Sequence, residues 1–193
     1  MKLPRKPASS IALLFLAGLM LAPQIVRLIA GRRNDWGQRT VATARHPMRP
    51  FTVTQLDGRP WRLDDHRGQV VLLNFWATWC PPCRRELPGL AALHRSHSAA
   101  TLAILGISLD HTGPQAVRDF ATEFGLPFPI ALADSGWQLD QIPTGIPSSI
   151  LLDRQGRVAK TYPGPASEAE FQADIDALLR EPPIASAPAI AAR

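Results

Sequence analysis

Cysteine occurs twice in the sequence, as Cys80 and Cys83, and two prolines separate the pair. Two thiols at this spacing can form a disulfide and exchange it, because one thiolate attacks a partner's disulfide and the other thiol resolves the mixed disulfide. A zinc site would use about four ligands, and the sequence has no second cysteine pair. The pair therefore predicts redox chemistry, with a structural disulfide or half of a metal site as the alternatives.

The cysteines stand where a predicted strand passes into a predicted helix. Residues 70–75 form a short apolar run that is typical of a buried strand, and the residues from Pro81 onward are typical of a helix. Cys80 then falls near the helix N-cap, where unpaired N–H groups and the positive end of the helix dipole stabilise a thiolate. We therefore expect Cys80 to be the nucleophile and Cys83, one turn inside the helix, to be the resolving thiol.

Residues 74–88 read NFWATWCPPCRRELP. This segment resembles the thioredoxin superfamily, and in particular the membrane-anchored, extracytoplasmic thiol-disulfide oxidoreductases of the TlpA/ResA type. The resemblance extends over roughly residues 50–180. It implies a thioredoxin-like α/β three-layer sandwich with an N-terminal β-hairpin and a central helix–strand insertion, for which residues 110–133 are our candidate. It also implies a redox-active disulfide between Cys80 and Cys83, with no other cofactor and no metal.

The other predicted elements follow the same order of strands and helices. An Asp-Gly pair at 57–58 predicts a hairpin turn, and Pro88 predicts a kink in the helix after the cysteines. Ser167 and Glu170 predict a capping box at the start of the last helix. The predicted strands are 51–56, 60–63, 70–75, 101–109, 129–133, 148–153 and 157–162, and the later helices are 114–124 and 167–179.

Residues 145–149 read GIPSS and match the G-x-P-(T/S)-(T/S) pattern of the resembled proteins, which keep a cis proline opposite the cysteines. A cis X–Pro bond costs only about 0.5–1 kcal/mol, and it would present the Ile146 backbone to an extended client peptide as an added strand. The alternatives are Pro143 or an ordinary trans Pro147. The residues expected to bind the client are Trp79, Pro81, Pro82, Ile146 and Pro147.

Glu86 lies three residues after Cys83, on the same face of the predicted helix. ResA-type proteins carry a glutamate at the matching position. A desolvated carboxyl has a raised pKa and can carry a proton to or from the Cys83 thiol. Asn74 stands where thioredoxin has a buried aspartate, so another group must carry the proton. We therefore expect Glu86 to be catalytic together with Cys80 and Cys83, and a solvated surface glutamate is the alternative.

The basic excess of the chain lies in its first residues. Residues 1–50 hold nine Lys and Arg and one Asp, a net charge of +8, whereas residues 51–181 hold eleven and fifteen, a net charge of −4. The domain that carries the cysteines is therefore acidic, which excludes nucleic acid as its expected partner.

Residues 11–30 are mainly apolar and, as a helix of about 30 Å, are long enough to cross a membrane. We predict an uncleaved signal anchor there, with a cleaved secretory signal as the first alternative and a buried core helix as the second. The predicted organisation is a basic n-region at 1–10, the anchor at 11–30, a polar tether at 31–49, the thioredoxin-like domain at 50–181 and a disordered tail at 182–193.

The resemblance implies that the domain lies on the outer, periplasmic face of the cytoplasmic (inner) membrane. It would reduce the disulfides of client proteins, such as apocytochrome c or copper-site assembly proteins, and would itself be reduced by a membrane electron donor. A peroxiredoxin-like peroxidase is one alternative. Such an enzyme would require a lone cysteine with a threonine three residues earlier, but this chain has Ala77 at that position. A copper-delivery module is another, but it would want CxxxC and a placed histidine.

Overall fold

The computed structural model describes residues 45–133 and 144–182. The predicted n-region, the anchor, most of the tether, Pro143 and nearly all of the tail lie outside these residues. Within the two described ranges, no helix combines the length and the apolar character that crossing a membrane requires.

The described chain begins with the predicted hairpin. Strand β1 (Thr52–Thr54) pairs antiparallel with β2 (Pro60–Arg62), and a 3-10 helix, Leu63–His66, follows. Both strands are shorter than predicted, and each buries only its central residue.

A mixed sheet of five strands forms the centre of the domain, in the order β5-β4-β3-β6-β7. Strand β3 is parallel to β4, which is parallel to β5, while β6 is antiparallel to both β3 and β7. Every residue of β3 and β4 is buried, as expected for central strands that are covered on both faces. The strands are β3 (Val70–Trp76), β4 (Leu102–Ser108), β5 (Ile130–Leu132), β6 (Ser148–Leu152) and β7 (Val158–Pro163).

In the part of the chain that the structure describes, three α-helices accompany the sheet: α1 (Pro81–Ser96), α2 (Pro114–Glu123) and α3 (Glu168–Arg180). The capping box at the start of α3 is confirmed, because the Ser167 side chain accepts from the Glu170 N–H and the Glu170 side chain accepts from the Ser167 N–H. Pro88 lies inside α1, and the kink there stays a prediction.

Each face of the sheet carries its own hydrophobic cluster, because successive residues of a strand point to opposite faces. Leu72 and Trp76 belong to the cluster that contains the apolar residues of the helices. Leu73 and Phe75 belong to the other cluster, with Trp61 of the hairpin. The sheet therefore lies between a helical layer and the hairpin, which confirms the predicted sandwich.

The predicted insertion at 110–133 contains α2 and β5. Strand β5 extends the sheet in parallel beside β4, at its edge. The hairpin covers part of that edge through a bridge between Gln55 and Ala131 and a hydrogen bond from the Leu56 N–H to the Ile130 carbonyl at 2.8 Å. Covering an edge strand removes unpaired backbone groups that could pair with another chain.

Candidate active site

The junction of β3 and α1 holds Cys80 and Cys83 in a disulfide, with 5.3 Å between their Cα atoms. Cys80 is the N-cap of α1, as predicted, and its Sγ accepts a hydrogen bond from the Cys83 N–H at 3.3 Å. Pro81 follows in the first turn, where its missing N–H leaves no hydrogen bond unmade. The N-terminal N–H groups of α1 thus face Cys80, and this is the position where the fold favours a thiolate once the disulfide opens.

The loop that leads into Cys80 is held by Asp110, which sequence analysis did not single out. Thr78 donates twice to this carboxylate, from its N–H to Oδ2 at 2.9 Å and from its hydroxyl to Oδ1 at 2.6 Å. Ser108 donates its hydroxyl to Oδ2 at 2.7 Å. Asp110 is buried and follows the apolar strand β4. An acidic residue directly after a buried strand was the signal that could have found it.

Glu86 is buried on α1, one turn after Cys83, and only 7% of it is exposed. Its Oε1 accepts from Asn74 Nδ2 at 2.7 Å, and its Oε2 accepts from the Ala166 N–H at 2.8 Å. Asn74 lies on the helix-facing side of β3, between Leu72 and Trp76, because every second residue of a strand shares a face. The structure therefore places Glu86, the predicted proton carrier, in direct contact with Asn74, the residue that stands in place of the usual acid.

Burial raises the pKa of Glu86 to about 7, because a carboxylate loses the solvation of water, and the hydrogen bonds from Ala166 and Asn74 lower it only in part. No charged side chain of the described chain contributes to this shift. The expectation of a desolvated carboxyl with a raised pKa is confirmed. A group that ionises near neutral pH can both take up and release a proton there.

The bond between Ile146 and Pro147 is cis, which confirms the prediction for this proline. Pro147 directly precedes β6, and the register of β6 on β3 sets Ser148 opposite Phe75. Pro147 therefore lies beside the end of β3, next to the loop that carries the cysteines. Ile146 is half-buried, and the Pro147 carbonyl accepts from the Gly164 N–H at 3.0 Å.

Two tryptophans flank the cysteine loop and lie in opposite surroundings. Trp76 is fully buried, and its ring lies 5.3 Å from that of Phe120. Trp79 is 63% exposed and is the one large hydrophobic side chain of the described residues that faces solvent to this extent. Pro81 is exposed and Pro82 half-buried. Trp79 and Pro81 thus give the buried disulfide an apolar rim.

The described parts of the chain contain no group of three or more His, Cys, Asp or Glu side chains placed to hold a metal ion. Among the residues that sequence analysis singled out, Asn74 and Glu86 form a hydrogen bond. Two unpredicted partners join them, Ser149 and Ala166. Ser149 accepts a hydrogen bond from Asn74 Nδ2 at 2.9 Å. Its signal was its place in the GIPSS segment, whereas the backbone N–H of Ala166 left no signal in the sequence.

Comparison with known proteins agrees with this site. Residues 44–173 match the model of the AhpC/TSA family. The thiol-disulfide oxidoreductase ResA of Geobacillus thermodenitrificans (strain NG80-2) is 31% identical over 146 residues, which are 75% of this chain and 83% of that protein.

Two solved structures are similar to the chain over most of their length. A thiol:disulfide interchange protein of the thioredoxin family from Chlorobium tepidum TLS has a TM-score of 0.62 at 27% identity, and the match covers 71% of this chain and 98% of that one. A secreted thiol-disulfide isomerase from Corynebacterium glutamicum has a TM-score of 0.68 at 27% identity, with 78% and 95% covered. These similarities confirm the predicted thioredoxin-like fold.

Proposed function

Because the chain belongs to the AhpC/TSA family and is a thioredoxin-like thiol-disulfide oxidoreductase, we propose that it reduces disulfides of partner proteins outside the cytoplasm. In this proposal Cys80 is the nucleophile, Cys83 the resolving thiol and Glu86 the proton carrier. The observation that carries it is the placement of Cys80 at the N-cap of α1, with the Cys83 N–H directed at its sulfur.

The proposed reaction has two thiol–disulfide exchange steps, the first at Cys80 and the second at Cys83. The Cys80 thiolate attacks one sulfur of the client's disulfide, the client's S–S bond breaks, and the released sulfur leaves as a thiolate that takes a proton from water. The Cys83 thiol then gives its proton to the Glu86 carboxylate and attacks Cys80 Sγ. The second client sulfur leaves, the Cys80–Cys83 disulfide closes, and two electrons have passed to the client.

Client binding uses the rim of the disulfide. The Ile146 backbone pairs with an extended client segment, and Trp79, Pro81, Pro82 and Pro147 contact its side chains. The exposure of Trp79 supports this role, because a large apolar side chain that remains exposed beside a reactive group is typical of a contact surface.

The location is part of the same proposal. Residues 11–30 anchor the chain in the inner membrane and the domain faces the periplasm, where its clients are cytochrome c maturation or oxidase assembly proteins and a membrane thiol donor reduces it. Three basic residues ahead of an apolar run support the anchor. The sequence contains only two cysteines, Cys80 and Cys83. Labelling of their thiols in reduced spheroplasts with a membrane-impermeant maleimide therefore tests whether the domain faces the periplasm. Protection of the thiols until lysis would overturn it.

The catalytic roles are tested with the full chain in detergent, by its ability to accelerate the reduction of insulin by dithiothreitol. We expect Cys80→Ser to abolish the acceleration and Cys83→Ser to trap a mixed disulfide with insulin through Cys80. Acceleration that persists in Cys80→Ser would contradict the proposal. Consumption of peroxide in place of insulin reduction would identify a peroxidase, and binding of one copper per chain would identify a copper carrier.

A further inference from the structure

The buried carboxyl of Glu86 faces two hydrogen-bond donors, and only one of them can also act as an acceptor. The Ala166 partner is a backbone N–H, which can donate but cannot accept. The Asn74 partner is a side-chain amide, which carries a donor on Nδ2 and an acceptor on Oδ1. A carboxylate is satisfied by two donors, but a protonated carboxyl needs an acceptor for its own O–H.

The Asn74 amide holds the missing acceptor. Its Nδ2 donates both to Glu86 Oε1 at 2.7 Å and to Ser149 Oγ at 2.9 Å. Its Oδ1 is buried and has no hydrogen-bond partner among the described residues. A buried polar atom without a partner is unfavourable. The arrangement satisfies the ionised state of Glu86 and leaves the Asn74 Oδ1 acceptor unused.

Ser149 can follow a reversal of the amide, because a hydroxyl both donates and accepts. After a half-turn about its Cβ–Cγ bond, Asn74 would accept from the protonated Glu86 and from the Ser149 hydroxyl with Oδ1. Nδ2 would then occupy the place without a partner. Each protonation state of Glu86 thus has one orientation of the amide that satisfies it, and Asn74 and Ser149 are both buried and held in paired strands.

We propose that Asn74, anchored by Ser149, is a positioning residue for proton transfer, which donates to the Glu86 carboxylate and reverses to accept from the protonated carboxyl. This inference rests on the proposed role of Glu86 and adds the group that forms a hydrogen bond with the buried carboxyl in both its ionised and its protonated state. Along α1, Arg84 and Arg85 are exposed and do not contribute to the pKa of Glu86, and Cys83, which is a thiol once the disulfide is reduced, lies one turn earlier. The neighbours of Glu86 from the other elements are uncharged. They are the side chain of Asn74 on β3, with Ser149 of β6 bonded to it, and the backbone N–H of Ala166 before α3.

The pH profile of the resolution step tests the proposal. The full chain is prepared with glutathione bound to Cys80 as the mixed disulfide, and the release of glutathione by Cys83 is followed across pH. The wild-type rate should rise through an inflection near pH 7. Asn74→Leu removes a charge-assisted hydrogen bond to the carboxylate and a weaker neutral one to the protonated carboxyl, so the inflection should move up, by about one pH unit. Ser149→Ala should move it in the same direction by less, and Ser149→Thr, which keeps the hydroxyl, should restore it.

The matched control is the Glu86→Gln background, where the inflection should be absent and Asn74→Leu should no longer change the shape of the profile. If Glu86→Gln leaves the wild-type inflection in place, the proposed role of Glu86 is wrong. If Glu86→Gln removes the inflection while Asn74→Leu and Ser149→Ala leave it unmoved, the role of Asn74 alone is wrong. Thermal unfolding of each variant identifies any profile that reflects lost folding, and Ser149→Thr supplies the folded comparison.

The reversal itself has a spectroscopic signature. The sequence contains two asparagines, Asn34 and Asn74, so labelling the full chain with ¹⁵N-asparagine gives two side-chain amide signals, and Asn74→Leu assigns them. In the oxidised protein, one Nδ2 proton of Asn74 should lie downfield at high pH and move upfield with a midpoint near 7. The movement should vanish in Glu86→Gln. An Asn74 amide whose two proton signals keep their separation across this range would overturn the reversal.

Discussion

The two ends of strand β6 bury carboxylates in opposite surroundings. Near its start, Ser149 joins the Asn74–Glu86 network, in which the carboxylate accepts from one side-chain amide and one backbone N–H. Just after its end, the buried Asp153 accepts from Arg157 Nε at 2.7 Å and from Arg45 Nη1 at 3.3 Å. The first network is uncharged apart from Glu86, and the second contains two cations.

The presence or absence of cations determines whether the carboxylate at each end of β6 stays charged or exchanges its proton. Arg45 also forms two hydrogen bonds with Glu181, at 2.7 and 2.6 Å, and these bonds hold the pKa of Glu181 below its ordinary value. An anion that is paired with arginine stays charged at neutral pH and serves as a structural link. Glu86 has no such partner among residues 45–133 and 144–182, and its pKa of about 7 leaves its proton exchangeable. A buried acid without a cation therefore marks the reactive end of the sheet.

The largest expected effect concerns stability at the Glu86 end. The folded pKa of about 7 lies above the ordinary value of 4.5, so the folded protein binds this proton more tightly than the unfolded chain does. The resulting stabilisation is fully present below about pH 4.5 and is lost as the pH rises through 7. It amounts to about 3 kcal/mol.

Urea unfolding of the oxidised full chain measures this effect. The free energy of unfolding of the wild type should fall relative to that of Glu86→Gln between pH 4.5 and 8, because glutamine does not ionise. Glu123→Gln, at an exposed glutamate of α2, is the matched control and should run parallel to the wild type. If the free energy of unfolding of Glu86→Gln also runs parallel to that of the wild type across this pH range, Glu86 does not have a raised pKa. The contrast between the two ends of β6 would then be wrong.

The next effect separates stability from chemistry at the other end. Arg157→Met removes the closer cation from Asp153, which is only 1% exposed, and should lower the free energy of unfolding at pH 7 by about 2 kcal/mol. The rate of insulin reduction should stay at the wild-type level, since Arg157 belongs to the charged end of the sheet. Lys160→Met, which removes a different cation from Asp174 on α3, provides a comparison at a carboxylate that is 27% exposed. A loss of insulin reduction in folded Arg157→Met would contradict the division of the two ends.

Much of the reactive end could be predicted because its signals are local in sequence. The N-cap position of Cys80, the cis bond at Pro147 and the capping box of Ser167 each depend on residues within a few positions of one another. The partners that decide the proton chemistry are distant. Asn74 meets Ser149 only because β6 pairs antiparallel with β3 in one register, and the Ala166 N–H reaches Glu86 from a segment that precedes α3.

The charged end could not be predicted for the same reason. Nothing near Asp153 in sequence indicates that Arg45 lies against it, since 108 positions separate them. The pairing depends on where the chain enters the domain, beside the bridge between Pro47 and Arg157. Composition placed Arg45 in a polar tether, and only the packed structure shows that this residue is fixed to the domain.

The smallest expected effect is the response of Arg45 to salt. Its side chain is 24% exposed and its partner Glu181 is 36% exposed, so solvent ions screen this pair. Arg45→Met should lower the free energy of unfolding by about 1 kcal/mol in dilute buffer, and the difference from the wild type should shrink in about 1 M salt. The difference between wild type and Glu86→Gln should not respond to salt, because burial and uncharged donors set the pKa of Glu86. Equal salt sensitivity at both positions would mean that Glu86 also interacts with a charged group, and the contrast between the two ends of β6 would then fail.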